Sequence, residues 1–191
     1  DVIVLDVKCG SGAFMKTKEE AGKLAELMEK IGLIAGVNVS AVLSDMNQPL
    51  GFAIGNALEV MEAIDVLKNC SDAEDLKEEC IILSSEILFR SGMGSREECR
   101  ARAIEALESG RALEKFRECI IAQGGDPAVL EDYSLFAKSD YEIDVISDKT
   151  GYINRIDCEE IGICSCISGA GRFKKDDEID PGAGLIIRKK L

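Results

Sequence analysis

Apolar residues open the chain as a short run, Val2 to Leu5, and then return at a different period. Ala21, Leu24, Ala25, Met28, Ile31, Gly32 and Ala35 stand at the i, i+3, i+4, i+7 spacing of a helix with one buried face. Thr17-Lys-Glu-Glu20 has the form of a capping box, in which a hydroxyl and a carboxylate satisfy orphan amides at the helix start, and Gly36 supplies a stop. A second aliphatic run, Val39 to Leu43, follows. Strand, helix and strand at this separation predict a βαβ unit, whose crossover makes the strands parallel and covers them with helices.

The helical period resumes near Asn56, a residue type suited to an N-cap, on the face Ala57, Val60, Met61, Ile64 and Leu67. Ser71-Asp-Ala-Glu74 and Ser95-Arg-Glu-Glu98 are two further capping boxes. The pattern stays helical to Gln123, broken at Ser91-Gly-Met-Gly94 and Ser109-Gly110, which predicts a helical hairpin and a third helix. Gly124-Gly-Asp-Pro127 ends it. From Tyr141 the runs Tyr141 to Ile146, Gly151 to Ile156 and Leu185 to Lys189 alternate with Gly and Asp, the signature of short strands. The fold class expected is therefore α/β, a parallel βαβ sheet with helices over residues 1–138, followed by a small α+β module over residues 139–191. Both ends of the sequence fall in strand-like runs and read as cuts through a longer polypeptide.

Composition narrows the function classes. A chain of 191 residues that is 46% hydrophobic can bury a core. Its formal net charge of -13 speaks against nucleic acid as partner, since phosphate backbones are held by basic footprints. No apolar stretch is long enough to span a membrane, and no basic-then-apolar leader opens the sequence. The eight cysteines include no Cys-x-x-Cys, and the chain contains no His, so they read as reduced structural thiols of a cytoplasmic protein. Cys164-Ser-Cys166 is the only close pair, and two ligands do not make a zinc site.

In parallel α/β sheets ligands bind beyond the carboxyl ends of the strands. The first such loop, Asp6-Val-Lys-Cys-Gly-Ser-Gly-Ala-Phe-Met15, has glycines that allow close backbone approach and an aromatic able to pack on a flat ring, or it is a tight turn with Phe14 and Met15 in the core. The second, Ser44 to Asn56, is long for an αβ connection. Its carbonyls, with Glu59 or Glu62 on the following helix, could hold a cation, or these acids form a solvated face with Asp65. Asp6 and Asp45 sit at strand ends without the rest of a glycosidase pair, and the absence of His and of Gly-x-Ser-x-Gly leaves a hydrolase triad nothing to rest on.

At these two loops the sequence resembles the thymidine and pyrimidine nucleoside phosphorylases. Asp6-Val-Lys-Cys-Gly-Ser-Gly-Ala-Phe-Met15 with Lys16-Thr17, and Asp45-Met-Asn-Gln-Pro-Leu-Gly51 with Gly55-Asn-Ala-Leu-Glu-Val60, carry the likeness, which extends through Gly124-Gly-Asp-Pro127 and Gly169-Ala-Gly-Arg172 to Gly184-Leu-Ile-Ile-Arg-Lys-Lys190. The resemblance implies reversible phosphorolysis, in which inorganic phosphate attacks the anomeric carbon of a pyrimidine nucleoside such as thymidine, uridine or deoxyuridine, giving free base and pentose 1-phosphate. It also implies a homodimeric parent, a base-pocket wall at Phe14 and Met15, and half of a potassium site made by the Leu50 and Ala53 carbonyls and the Glu62 carboxylate. The family's phosphate cradle and base-anchoring residues precede Asp1, so no catalytic residue is assigned to this segment and the isolated chain is expected to be inactive. The alternative is a non-catalytic small-molecule or cation-binding module of the same fold.

Overall fold

The computed structural model describes residues 1–191. Strand β1 (Val2–Cys9) and strand β2 (Asn38–Asp45) pair in parallel from Val2↔Asn38 to Cys9↔Asp45, joined by helix α1 (Lys18–Ile34). This is the predicted βαβ unit. Thr17 caps α1 in a complete box with Glu20. Ala21, Ala25 and Val7 form the small core between helix and sheet, with Leu5, Met15, Leu24 and Leu43 around it. Gly32 lets α1 sit against β2, because a Cβ there would lie 2.2 Å from the Val39 side chain.

After β2 the chain makes strand β3 (Ala53–Ile54), helix α2 (Asn56–Leu67) and three further helices, α3 (Glu74–Arg90), α4 (Arg96–Glu108) and α5 (Arg111–Ala122). Breaks and caps fall largely where the sequence places them, with a complete Ser95–Glu98 box on α4. Two differ. The Ser71 hydroxyl accepts from the Ala73 amide at 3.0 Å and closes a local turn, so α3 starts at Glu74 behind Ala73 with no side-chain cap. Asn56 is the first helical residue of α2, not its cap. Gly55 takes that place with φ 142°, and the Asn56 side chain donates through Nδ2 to the Ala170 carbonyl at 2.9 Å. On α2 the buried residues are Ala57, Ile64 and Val66, while Val60 faces out.

The second module departs further from expectation. Tyr141, Ile143, Val145 and Tyr152 are exposed and lie in no strand. Alternation alone does not make a strand; a neighbour must supply main-chain bonds and apolar surface, and none lies beside this stretch. Helix α6 (Cys158–Ile167) and strand β4 (Leu185–Ile186) are the regular elements here. β4 pairs antiparallel with β3 of the first part. Residues 169–190 thus lie as a strap over the start of α2: the Ala57 amide donates to Pro181 at 3.0 Å, and Ile187 donates to Phe52 at 2.8 Å. Lys190 closes the strap, 2.6 Å from Asp75 and 4.8 Å from the centre of the Phe52 ring.

Candidate functional site

Beyond β1 and β2 the two loops are bonded to each other. Met46 donates to the Cys9 carbonyl at 2.7 Å, Gly12 to the Met46 carbonyl at 3.0 Å, and Ser11 to the Asn47 side chain at 3.1 Å. The glycines serve this contact. A Cβ on Gly10, whose φ is 126°, would stand 2.8 Å from the Asn47 amide, and one on Gly12 would stand 2.5 Å from the Cys158 side chain. Their small size brings backbone against neighbouring loop and helix rather than leaving it open to a ligand.

Ser11 is the junction with the second module. Its hydroxyl reaches the Met46 and Ile156 carbonyls at 3.4 and 3.3 Å and accepts from the Cys158 amide at 3.2 Å. Lys16 bridges the same gap, donating to the Ser11 carbonyl and to Glu159, both at 2.9 Å. A cavity of about 420 Å³ lies here, lined by Ser11, Lys16, Asn47, Asn154 and Arg155 among others. Ser11 and Lys16 fall within the first-loop motif, but the motif does not announce their tie to the second module, because Ile156 and Glu159 lie more than 140 residues away.

Phe14 and Met15 part company. The Gly10 amide donates to the Met15 carbonyl at 3.1 Å, and the Met15 side chain joins the core of the βαβ unit. Phe14 projects into solvent at the tip of the loop, 99% exposed. A ring so placed keeps its apolar faces in water, so burying one against a flat ligand would be favourable.

In the second loop Glu59 and Glu62 take different tasks. Glu59 accepts from the Gly55 amide at 3.0 Å and so serves the start of α2. Glu62 accepts from the Phe52 and Ala53 amides at 2.7 and 3.2 Å, holding its carboxylate against the turn that runs from Leu50 to Ala53. Gly51 makes room: its φ is 67° and a Cβ would lie 2.2 Å from Glu62 Oε2. A carboxylate and main-chain carbonyls in one turn are hard oxygen donors, the chemistry that fits an alkali or alkaline-earth ion, and each carboxylate oxygen retains a lone pair beyond the amide it accepts. Three oxygens fill only part of such a coordination sphere. Nowhere in the chain is a group of three or more Cys, Asp or Glu side chains arranged to hold a metal, and all eight cysteines are unpaired.

Beneath both loops, on the sheet face covered by α3, lies a compact ionic group. Lys8 stands 2.7 Å from Asp6 and 3.1 Å from the Ser44 hydroxyl, which itself donates to Asp6. Glu79 of α3 completes it, with Oε1 buried, without a hydrogen-bond partner and 3.9 Å from Lys8. Burial pushes the Glu79 carboxyl above its usual range; Lys8 opposes this and Asp6 adds to it. A carboxyl raised on folding stabilises the fold fully below the ordinary glutamate range, and that contribution is lost as pH rises through the raised value. The melting temperature of Glu79→Gln, which stays neutral, is therefore expected to gain on wild type as pH rises above about 4. A difference independent of pH between 4 and 8 would show that Glu79 ionises freely.

Residues 1–113 match the family model described as the glycosyl transferase family, a/b domain, and residues 152–191 match the pyrimidine nucleoside phosphorylase C-terminal domain. The whole chain aligns at 47% identity over 192 positions with the pyrimidine-nucleoside phosphorylase of Bacillus subtilis (strain 168), and equally with those of Staphylococcus aureus strains bovine RF122 / ET3-1 and USA300. It spans 44% of the length of each.

Proposed function

Because the chain belongs to the pyrimidine nucleoside phosphorylase family, with its first 113 residues in the glycosyl transferase a/b domain, we propose that it supplies one half of a divided phosphorolysis site. The observation that carries this reading is that Phe14 and the turn held by Glu62 stand on the two loops that leave the carboxyl ends of one parallel strand pair. In the reaction, inorganic phosphate displaces a pyrimidine base from the anomeric carbon of its nucleoside and leaves a pentose 1-phosphate. Two demands follow: a flat base must be held still, and an anion must be held against a carbon that becomes positively charged.

Phe14 meets the first demand by stacking on the base, while Met15 anchors the loop from below. The Leu50 and Ala53 carbonyls and the Glu62 carboxylate contribute to the second as part of a potassium site whose other ligands lie outside this chain. Potassium there supplies fixed positive charge. Glu62 keeps its donors in register by holding the Phe52 and Ala53 amides, and the β4 strap holds the same turn from the other side through Ile187. We place the boundary of the α/β part near residue 138 and take the parent to be a cytoplasmic homodimer.

The residues that hold phosphate in the family match no position of this chain, so the chain by itself is expected to give no phosphate-dependent release of thymine or uracil. Mixing it with the N-terminal segment of the Bacillus subtilis relative is expected to restore release. Turnover by the chain alone would sink the divided-site reading, and a folded mixture without turnover would favour a non-catalytic binding module.

A further inference from the structure

The strap over α2 reaches the turn that Glu62 holds. Phe52 lies in the chain between Leu50 and Ala53, whose carbonyls are the proposed cation ligands, and it is gripped at three points. Its amide donates to Glu62 at 2.7 Å, its carbonyl accepts from the Ile187 amide at 2.8 Å, and its ring centre lies 4.8 Å from the Lys190 ammonium. Ala53, the next residue, pairs with Ile186 of β4. The Leu191 amide donates to the Gln48 side chain at 3.1 Å, so the strap meets this loop on both sides of Leu50.

Lys190 is an unexpected group at this point. Its side chain is only 11% exposed, although a lysine ordinarily keeps its ammonium in water. Burial costs the charge its hydration, and two partners offset that cost: Asp75 in the first turn of α3, 2.6 Å away, and the face of Phe52. The ammonium thereby ties the Phe52 ring to α3. Three holds from three elements, α2, the strap and α3, leave the turn little freedom to swing its carbonyls.

We infer that Lys190 is a positioning residue that fixes the Leu50–Ala53 turn through Phe52, and so sets how tightly that turn holds its cation. Carbonyls already held in place bind a cation more tightly than ones that must first be ordered, because no ordering entropy is then lost on binding. Charge alone would act in the opposite sense: an ammonium beside the turn repels a cation, so its removal would tighten binding. The identity of the cation as potassium rests on the divided-site reading; the three holds on Phe52 do not.

The test reads uridine phosphorolysis by the full chain mixed with the N-terminal segment of the Bacillus subtilis relative, against potassium chloride at constant ionic strength. Lys190→Met keeps an unbranched apolar stem and removes the charge. It is expected to raise the potassium concentration for half-maximal turnover roughly tenfold or more, while turnover at saturating potassium changes less than about twofold. Lys190→Arg keeps the wild-type value, and so does Lys189→Met, at the exposed neighbouring position. Hydrogen exchange on the chain alone is expected to show the Phe52 and Ala53 amides exchanging faster in Lys190→Met, with those of β1 and β2 unchanged. A half-maximal concentration that stays the same or falls in Lys190→Met, or that rises equally in Lys189→Met, would overturn the inference. So would a loss of turnover that saturating potassium does not relieve, or unchanged exchange at Phe52 and Ala53. A wild-type mixture without turnover, or one indifferent to potassium, sinks the divided-site reading instead, and the exchange comparison then decides on Lys190 by itself.

Discussion

Gly55→Ala is expected to destabilise the chain by about 3 kcal/mol or more and to release the strap over α2, because it combines a left-handed backbone with a collision that nothing nearby can relieve. Gly55 has φ 142°, and a Cβ would lie 2.5 Å from the Ala183 carbonyl and 2.9 Å from Gly184 Cα, both main-chain atoms. Moving those atoms breaks the β3–β4 pairing and the bond from Ala57 to Pro181. Gly36 provides the control. Its φ is 71°, but nothing lies within 4 Å of a Cβ there, so Gly36→Ala should cost about 1 kcal/mol, the backbone term alone. Urea unfolding gives both numbers, and limited proteolysis between residues 169 and 191 reports on the strap. Equal losses at the two positions would mean that the close approach at Gly55 is not maintained in solution.

Glu86→Ala should cost a comparable amount for a different reason. This carboxylate is 7% exposed and takes hydrogen bonds from Ser40 at 3.0 Å, from Arg90 at 2.7 Å and from Arg96. It ties α3 and the start of α4 to the face of β2. Its removal leaves Ser40 buried without its acceptor and two guanidiniums without their counter-charge. Breaking a fully buried pair costs about 3–5 kcal/mol, and because the Arg96 side chain is 58% exposed and can rehydrate, about 3 kcal/mol is expected here. Burial pushes the Glu86 carboxyl up, but the bonds from Arg96, Arg90 and Ser40 outweigh it and hold the group below its usual range. With a lowered folded value, the contribution is present above the ordinary glutamate range and is lost as pH falls through the lowered one. Wild type and Glu86→Ala should therefore converge in stability in acid, opposite in direction to the Glu79 effect. A gap that persists unchanged to about pH 2 would contradict the charge-based account.

What could be read from the sequence was mostly local. Thr17 with Glu20, Ser95 with Glu98, and the glycine breaks at 92, 94 and 110 act within a few residues of themselves, and each falls at the boundary predicted. The βαβ unit is legible for the same reason, since its strand runs and helix period are separate patterns. Legibility fails where a competing partner, near or remote, takes the group. Ser71 looks like a cap, but the nearer Ala73 amide captures its hydroxyl, and Asn56 is drawn from capping by Ala170. Tyr141, Ile143 and Val145 have the alternation of a strand and no strand to pair with.

The site divides along the same line. The two loops are recognisable as motifs, and Glu62 could be singled out with Glu59 from their place on α2. Their separation into turn holder and helix-start acceptor needed the amides of Phe52, Ala53 and Gly55 in place. Gly10 and Gly12 were legible as positions of close approach, but what approaches is Asn47, Met46 and Cys158, which sequence spacing does not reveal. Glu79 is one of many acids in a chain of net charge -13, and only its burial beside Asp6 and Lys8 distinguishes it.

The most direct test of the central proposal is the potassium dependence of uridine and thymidine phosphorolysis by this chain mixed with the N-terminal segment of the Bacillus subtilis relative, compared with the same mixture carrying Glu62→Ala. The divided-site account predicts turnover in the wild-type mixture that potassium raises, and at least a tenfold loss with Glu62→Ala that potassium does not restore. Equal turnover by the two mixtures, or turnover indifferent to potassium, would contradict it.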